Sequence, residues 1–530
     1  MMKKIIPQLI KPLQPKKKKS EDIPSANQNK TQAQTLSLNL SDNLALLKDR
    51  FLDSSDIIYR QFNISFKSEN KAFIIYIEGL VDTAAIKTDI LEPLMYDFTS
   101  KQLEESYQDN LLAVIRDSAL PTNRIQETQS IEDLIQNILM GQSALLLDGF
   151  NSALIINTKG GEYRPIKEPD TESVVRGPRE GFTENIGVNT ALLRRKIRDS
   201  NLKLEGLSLG TRTKTQIYIA YLNGIVNPKL VTEVKMRLQK IHLDSILESG
   251  YVEQLIEDAP GSIFPTIGNT EKPDVLASKI LEGRIGIFVD GTPFVLVIPH
   301  LFIESFQSAE DYYSRPFYST TIRFIRFVAY IITTLLPAIY VALESFQPEM
   351  IPTDLLFSMA GSREGIPFPA YVEALIMGVI FEIMREAGIR MPRPIGQAVS
   401  IVGALVLGEA AVRAGIVSDP MIIIVALTAI SSFVISSLGD AIPLLRLFFM
   451  VCSASLGVFG VLMGILFVLI HLLKLRSFGV PYLSPLAPGN RESLKDVLIK
   501  APIWALRKRP RILGTEDPIR QNSGKPSPEK

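Results

Sequence analysis

The sequence predicts an α/β N-terminal region of two similar subdomains, followed by an all-α membrane domain with several spans. Three observations lead to this prediction. Strand and helix patterns alternate in the first half of the chain, and one order of these patterns occurs twice. No lysine occurs between Lys279 and Lys474, in a stretch rich in Ile, Leu, Val, Phe and Gly, which is typical of membrane segments.

Changes in composition along the chain predict its units. They are a disordered basic and polar tail at 1–40, α/β subdomains at 41–173 and 201–315, a connecting helical linker at 174–200, a transmembrane domain of four to six segments at 316–475, and a basic cytosolic tail at 476–530.

Composition excludes several classes of protein. The 530 residues include 57 Lys and Arg against 56 Asp and Glu, and this balance disfavours nucleic acid as a partner. With one cysteine, Cys452, and three histidines, neither a disulfide framework nor a metal site is expected, and no cofactor is predicted. The sequence lacks the phosphate-binding loop, the dinucleotide fingerprint and the zinc-protease motif, so we do not expect an enzyme.

The first subdomain is predicted from its strand and helix periodicity. Ser41-Asp42 is expected to cap the first helix, and β-branched and aromatic residues before Gly79 predict a strand. Asp148-Gly149 between two apolar runs predicts a hairpin turn. The predicted helices are 43–51, 83–96 and 131–140, and the predicted strands are 71–79, 143–147 and 153–157.

The same order recurs in the second subdomain. Gly224 follows its strand as Gly79 follows the first, 145 residues earlier, and the second Asp-Gly turn lies 142 residues after the first. This near-constant spacing predicts an internal duplication, although strand-glycine-helix units are common in α/β proteins. The predicted strands are 215–224, 285–289 and 294–297, and the predicted helices are 229–240 and 274–281.

Two basic clusters lie outside the predicted membrane domain. Residues 16–19 are four lysines, which we expect in a solvated tail, with attraction to an anionic membrane surface as the alternative. The predicted linker helix 190–198 carries Arg194, Arg195, Lys196 and Arg198. We expect these to form a solvated face, with binding of a partner or lipid as the alternative.

Basic residues predict how the apolar segments are oriented. The chain shows no signal-peptide core at its N-terminus, so the N-terminal region is expected to be cytosolic. Arginines flank the first and second segments on one side, the acidic loop 344–364 lies on the other, and the basic C-terminal residues place the end in the cytosol. The apolar segments are 327–343, 368–384, 395–414, 421–438 and 441–473.

Five spans that start in the cytosol would end outside, which conflicts with a cytosolic C-terminus. Either one segment does not cross, or the long segment 441–473 bends into two. We favour 421–438 as a re-entrant element, because it is short and ends at Asp440. This choice places Asp440 on the outer side.

Small residues recur at helical spacing in two segments and predict close helix packing, either within the chain or between subunits. They are Gly396, Ser400, Ala404 and Gly408 in one segment and Ser453, Gly457, Gly460 and Gly464 in the other.

Ionisable residues in the apolar segments are candidates for pore or gating positions, because charges inside a membrane are costly. Most have a partner at helical spacing, as in Glu382–Arg385, Glu386–Arg390 and Glu409–Arg413. Glu373 has none, so it requires a partner on another helix or water, as a pore would supply. The candidates are Glu373, Glu382, Arg385, Glu409 and Arg413.

Six motifs resemble the A subunits of GerA-family nutrient germinant receptors of spore-forming bacteria, over roughly residues 40–511. The motifs are GPREGF at 177–182, SREGIPFP at 362–369, FEIMREAGIRMP at 381–392, IGQAVS at 395–400, ALTAISS at 426–432 and SFGVPYLSP at 477–485.

The resemblance implies a two-subdomain cytosolic region joined to a membrane domain in the spore inner membrane. It implies a permease-like B subunit and a lipoprotein C subunit as partners, self-association, and a ligand-gated cation channel that triggers germination. The related SpoVAF-type accessory proteins share many of the motifs and remain an alternative. A secondary transporter and a non-conducting scaffold are further alternatives, and the transporter is disfavoured because the visible repeat lies outside the membrane domain.

Overall fold

The computed structural model describes residues 34–64, 70–97, 111–121, 125–160, 168–169, 172, 174–390, 408–489 and 493–521. The α-helices are α1 Leu40–Arg50, α2 Thr83–Ala85, α3 Leu111–Val114, α4 Ile131–Leu139, α5 Ile186–Lys196, α6 Pro228–Gln239, α7 Ser249–Ile256, α8 Pro273–Leu281, α9 Glu310–Tyr313, α10 Pro316–Ser345, α11 Thr353–Arg363, α12 Ala370–Arg390, α13 Asp419–Ser432 and α14 Ala441–Lys474. The strands are β1 Ile57–Asn63, β2 Lys71–Ile77, β3 Ile125–Thr128, β4 Ser143–Leu147, β5 Ala153–Ile156, β6 Leu202–Leu209, β7 Thr215–Leu222, β8 Gly268–Thr270, β9 Ile285–Val289, β10 Val295–Ile298, β11 Arg476–Ser477 and β12 Val480–Pro481.

Two five-stranded antiparallel sheets form the part of the chain before α10, the described residues of 34–315, which we call the soluble region. Their strand orders correspond. The first is ordered β1-β2-β4-β5-β3 and the second β6-β7-β9-β10-β8. Each central hairpin turns at an Asp-Gly pair, whose glycines, Gly149 and Gly291, have φ of 84° and 91°. Glycine adopts this left-handed conformation without the steric cost that a Cβ would add. The common topology confirms that the two subdomains are similar, as the repeated pattern predicts.

Some local predictions for these subdomains are wrong. The side chain of Asn39, rather than Ser41-Asp42, caps α1 by accepting from the amide of Ser41. The predicted helix 83–96 begins as α2 behind Asp82, which accepts from the amides of Ala84 and Ala85. It then widens into two π-helical segments, Ile86–Leu91 and Pro93–Asp97.

The two subdomains are joined by a buried ion pair. Arg194 on α5 donates from Nε to Asp56 at 2.7 Å and from Nη2 to Ser54 at 3.0 Å, and its side chain is 1% exposed. The prediction that Arg194 lies on a solvated face is therefore wrong, whereas Lys196 and Arg198 are exposed. A buried guanidinium needs such a partner, so this pair fixes α5 against the start of the first sheet.

We describe the helical half, the described residues of 316–474, relative to the long helix α10. The end of α10 that contacts the soluble region is called the near end, and the opposite end is called the far end. At the near end, Arg326 donates to the carbonyl of Phe306 at 3.2 Å. At the far end, Glu344 forms an ion pair with Arg363 of α11.

Helices α12 and α13 both run from the far end to the near end. Glu373, near the start of α12, accepts hydrogen bonds from the amide and the hydroxyl of Ser418, the residue before α13. Both helices therefore begin at the far end. Midway along α13, Thr333 of α10 donates to the carbonyl of Thr428 at 3.2 Å. Ser437, just beyond α13, donates to the carbonyl of Ser305 in the soluble region at 2.8 Å.

After α12, the described chain resumes at residue 408. Residues 408–413 are helical and lie near the far end, because Gly408 faces Ile422, four residues after Ser418.

Helix α14 is a hairpin. Gly457 interrupts it with φ 61° and ψ −141°, and the arms 441–456 and 458–474 fold against each other. A Cβ at Gly464 would lie 3.1 Å from the ring of Phe449, and the rings of Phe448 and Phe467 are 5.8 Å apart. A straight helix would separate Phe448 from Phe467 by about 28 Å.

The hairpin changes the predicted path of the chain. By length and composition, α10 and α14 are the two described helices that are long and apolar enough to cross a membrane, and α14 is bent into two arms. The tip at Gly457 contacts Phe346 at the far end, so both ends of α14 lie at the near end. Of the two alternatives, the structure shows the bend within 441–473, whereas 421–438 runs from the far end to the near end without turning back. Asp440 therefore lies at the near end, and the described chain both enters and leaves the bundle at that end.

The segment predicted as a C-terminal tail folds onto the second subdomain. After α14, Ser477 donates to the carbonyl of Thr266 at 2.6 Å, and β11 pairs with β12. Farther on, Arg509 donates to the carbonyl of Leu281 at 2.8 Å, and the amide of Glu516 donates to the carbonyl of Ile225 at 3.2 Å. We call residues 476–521 the C-terminal segment.

The hairpin is tested by cross-linking. In a chain with Cys452→Ser, the pair Phe449→Cys and Gly464→Cys should be joined within one molecule by a short thiol-reactive linker, because the two sites are in contact across the hairpin. The matched pair Phe449→Cys and Val434→Cys, whose second site lies in the turn after α13, controls for random linkage. Absence of an intramolecular product at 449/464, with both thiols reactive, would indicate a straight helix.

Candidate functional site: charged clusters of the helical half

Glu373 is the centre of a buried cluster at the far end. Its side chain is 0% exposed and accepts from Arg363 Nη2 at 3.0 Å and from the amide and the hydroxyl of Ser418 at 2.9 Å each. Arg363 also pairs with Glu344. We call Glu344, Arg363, Glu373 and Ser418 the far-end cluster. It ties together α10, α11, α12 and the start of α13.

The partner of Glu373 is therefore a cation on another helix. Of the two sources that the sequence left open, another helix or water, the structure shows the first. Arg363 lies ten residues before Glu373, across a helix break, so a search at helical spacing could not find it. A carboxylate with three hydrogen bonds and a paired cation is well compensated for its burial.

Glu382 lies at the centre of a second cluster. It pairs with Arg385 at 2.8 Å, as its spacing predicts, and with Arg446 on the first arm of α14, which the sequence did not indicate as its partner. The guanidinium of Arg446 also lies 5.9 Å from the ring centre of Phe381. We call Glu382, Arg385 and Arg446 the near-end cluster, because it lies closer to the near end than the far-end cluster does; Glu382 is about 14 Å of helix from Glu373. It fixes α12 to the hairpin.

The remaining predicted pairs lie on exposed faces. Glu386 and Arg390 are 2.6 Å apart, as are Glu409 and Arg413, and each side chain is more than half exposed. Exposed pairs of this kind contribute about 0–1 kcal/mol to the stability of a chain in water. The two pairs therefore do little to hold the single chain together.

Of the small residues predicted to pack helices closely, some lie outside the described residues and others lie in the α14 hairpin. Gly396, Ser400 and Ala404 lie outside the described residues. Gly457 forms the hairpin tip, and Gly460 and Gly464 face the opposite arm, so the predicted continuous small face of one helix is wrong. The other stripe member in α14, Ser453, donates to the carbonyl of Ala338 in α10 at 2.6 Å.

A third cluster joins the soluble region to α10 and to the C-terminal segment. Arg323, with a side chain 1% exposed, donates to Asp311 at 2.9 Å and to Asp496 at 2.8 Å. Arg326 also donates to Asp311, at 2.9 Å. Burial raises the pKa of Tyr312 well above its usual value, and Asp496 beside it adds to this effect. We call Asp311, Tyr312, Arg323, Arg326 and Asp496 the junction cluster.

In the sequence, Arg323 and Arg326 predict only the orientation of the first apolar segment. They are three residues apart at the start of an apolar helix, and an acid, Asp311, lies twelve residues before Arg323. This pattern could have indicated that the two cations are paired. Asp496 is 173 residues from Arg323, and no sequence pattern connects the two.

Glu304, on the short helix Phe302–Phe306 beside the bundle, is held by cations of the second subdomain. Burial alone would raise the pKa of Glu304, but Arg284, Lys279 and His300 hold it well below its usual range. Glu304 is therefore a carboxylate at neutral pH. Among the residues that the structure describes, no group of His, Cys, Asp and Glu could hold a metal ion.

One family model matches most of the chain. The family model for Bacillus/Clostridium GerA spore germination protein matches residues 45–512. The chain belongs to the GerA family. This membership confirms the family that the motifs indicated, and it places the chain among spore germination proteins.

Several known proteins are similar in sequence to most of this chain. Spore germination protein KA of Bacillus subtilis (strain 168) is 47% identical over 497 residues, which cover 93% of this chain and 90% of that protein. The uncharacterized membrane protein YfkQ of the same organism is 45% identical over 483 residues, 90% of this chain and 92% of that protein. The crystal structure of the N-terminal domain of the A subunit of the Bacillus megaterium spore germinant receptor GerK3 is 41% identical, with a TM-score of 0.42, and covers 51% of this chain and 98% of that one.

The far-end cluster of this GerA-family chain is tested by a double-mutant cycle. Glu373→Gln and Arg363→Gln should each lower the free energy of unfolding by about 1–3 kcal/mol, because each leaves a buried partner with fewer hydrogen bonds. The double variant should lose less than the sum of the two, because the contact is shared. Unfolding of the detergent-solubilised full chain gives the three differences.

Glu386→Gln is the matched control, since it removes a carboxylate from an exposed pair on the same helix. It should change the free energy of unfolding by less than about 0.5 kcal/mol. Strictly additive losses at Arg363 and Glu373 would contradict the pairing.

Proposed function

We propose that the helical half spans a bilayer and that the chain is the A subunit of a nutrient germinant receptor in the spore inner membrane. The observation that supports the membrane placement best is the distribution of charge along α10. Residues 327–343 carry no charge and separate the near-end cation Arg326 from the far-end acid Glu344. That interval is about 27 Å of helix, close to the ~30 Å thickness of a bilayer's hydrocarbon core.

Two of the other stretches are long and uncharged as well, whereas the uncharged stretch of α12 is only about 12 Å long. No Asp, Glu, Lys or Arg occurs in residues 374–381, 420–439 or 447–473. Large apolar side chains point outward from these stretches, where lipid would solvate them. Five of them are each more than 60% exposed: Ile423, Ile430, Phe433, Phe459 and Phe467.

The receptor role is supported by the relatives. Several similar proteins are named as spore germination proteins, and the similar crystal structure is of a domain of a germinant receptor A subunit. We propose the same role here, with a permease-like B subunit and a lipoprotein C subunit as partners. The N-terminal region and the C-terminal segment then lie together on the cytosolic side.

We further propose that several copies associate and conduct cations when nutrient binds. Glu409 and Arg413 support association, because an exposed charged pair in an apolar bundle favours a neighbouring copy or water over lipid. The acids Glu373 and Glu382 and the cation Arg385 remain the other candidate pore or gating positions. In such an assembly, nutrient would shift the population from closed to conducting states.

Ion release from spores tests this function. Spores lacking the chain should fail to release ions after addition of the nutrients that this receptor serves, while a trigger that bypasses nutrient receptors still works. Glu382→Gln should change the rate of release or the leak before nutrient several-fold, because it leaves Arg446 without its carboxylate partner.

Glu386→Gln, one turn away with an exposed partner, should behave as the wild type. Normal ion release in spores without the chain would contradict the receptor role. Unchanged release with Glu382→Gln, at a normal protein level, would remove the near-end cluster from the ion path.

A further inference from the structure

A cavity of about 220 Å³ lies between the second subdomain and the C-terminal segment. One water needs about 10–15 Å³ of such space, so the cavity is large enough for a small polar group with its hydration. Seven Lys and Arg side chains line it, against three Glu and Asp side chains. We call it the basic cavity.

Part of this positive charge is not compensated within the chain. Arg509 pairs with Asp517 and Arg520 with Glu282. The side chains of Lys495 and Arg507 line the cavity, are exposed, and make no hydrogen bond or ion pair with any residue in the described part of the chain.

A buried donor also lines the basic cavity. The side chain of Arg284 is 3% exposed, and its Nη atoms bond Glu304 and the carbonyl of Pro299. Its Nε–H makes no hydrogen bond among the described residues, because the Glu282 carboxylate with which it forms an ion pair is 3.9 Å away, beyond hydrogen-bond distance. A buried donor without an acceptor is costly, and an anion or its hydrating water in the cavity would satisfy it.

The basic cavity lies at the boundary between the soluble region and the helical half. The short helix Phe302–Phe306 separates the two. Phe306 packs its ring against Tyr330 of α10 at 5.4 Å, whereas Ile303 and Glu304 line the cavity. One short helix thus contacts the bundle and forms a wall of the cavity.

Exposed apolar side chains surround this boundary. Phe317 and Phe324 at the start of α10 are 90% and 59% exposed, and Ile499 and Ile503 of the C-terminal segment are 66% and 58% exposed. Arg507 is four residues after Ile503. Apolar side chains beside free cations are typical of surfaces that lie at a membrane interface.

We propose that the basic cavity binds a phosphate group. Arginine and lysine donate charge-assisted hydrogen bonds to phosphate oxygens, and the excess of cations fits a ligand of negative charge. The phosphate belongs to the headgroup of an anionic phospholipid or to a soluble phosphorylated molecule. The lipid source rests on the proposed membrane placement of the helical half, whereas the soluble source does not.

The single tryptophan of the chain gives a direct readout. Trp504 lies next to Ala505, which lines the basic cavity, so its fluorescence reports on this segment alone. The detergent-solubilised full chain is titrated in separate arms with short-chain phosphatidylglycerol, short-chain phosphatidylcholine and inorganic phosphate. We expect a saturable change with phosphatidylglycerol, with inorganic phosphate, or with both, and a weaker response to phosphatidylcholine.

The arms distinguish the two sources. A response to phosphatidylglycerol alone assigns the site to a lipid headgroup, and a response to inorganic phosphate as well assigns it to phosphate from either source. No saturable response to either probe overturns the proposal. Because the readout is binding rather than germination, failure here is distinct from failure of the proposed receptor role.

Two double variants locate the binding. Lys495→Gln with Arg507→Gln removes the two free cations and should weaken binding about tenfold or more, at roughly 1 kcal/mol per cation. Both residues are exposed, so the variant should fold. Arg212→Gln with Lys240→Gln makes the same change of charge at exposed sites that do not line the cavity, and it should bind as the wild type. Equal weakening in both double variants would overturn the proposal.

Discussion

The buried guanidinium of Arg323 is the constraint on which the arrangement of the molecule depends. It lies at the start of α10 with its side chain 1% exposed, and a charge so buried is tolerated only when it is paired. Its partners, Asp311 and Asp496, come from the soluble region and the C-terminal segment. One side chain therefore fixes three parts of the chain that are distant in sequence, and the axis of the bundle is set relative to the sheets.

The second subdomain, rather than the first, transmits this constraint. Besides the junction cluster, the second subdomain contacts Phe478 of the C-terminal segment. The ring centre of Phe478 lies 4.2 Å from the guanidinium of Arg237, and its backbone has a positive φ of 47°. The second subdomain also contributes the short helix Phe302–Phe306, which packs on α10. The first subdomain is attached through Arg194 and Asp56. A change in the relation of the two subdomains would thus reach the bundle through the second one, a route consistent with the proposed receptor role.

Much of the fold could be predicted because its signals are local. The central hairpins carry alternating or continuous apolar runs around Asp-Gly, and these signals gave β4, β5, β9 and most of β10. The order of strands required pairing between distant segments, which periodicity does not encode. The edge strands β1 and β6 alternate weakly and were not predicted. The interruption of α14 depends on one glycine among several in a uniformly apolar stretch, so no change in composition marks it.

In the candidate site, too, only contacts between residues close in sequence could be predicted. Pairs on one helix, such as Glu409 and Arg413, follow from spacing. The partners that hold helices together do not, because Arg446 is 64 residues from Glu382 and Asp56 is 138 residues from Arg194. Burial of a cation depends on a partner that folding brings close. The sequence therefore indicated that Glu373 needs a partner, but it did not identify that partner and did not indicate that Arg194 is buried and paired.

The central claim is that the chain crosses the membrane an even number of times, with a hairpin at Gly457. It is tested most directly by the accessibility of single cysteines to a membrane-impermeant thiol reagent, in a chain with Cys452→Ser. Glu349→Cys should react on one side of the membrane, and Asp440→Cys and Arg212→Cys should react together on the other. Reaction of Asp440→Cys and Arg212→Cys on opposite sides would contradict the account.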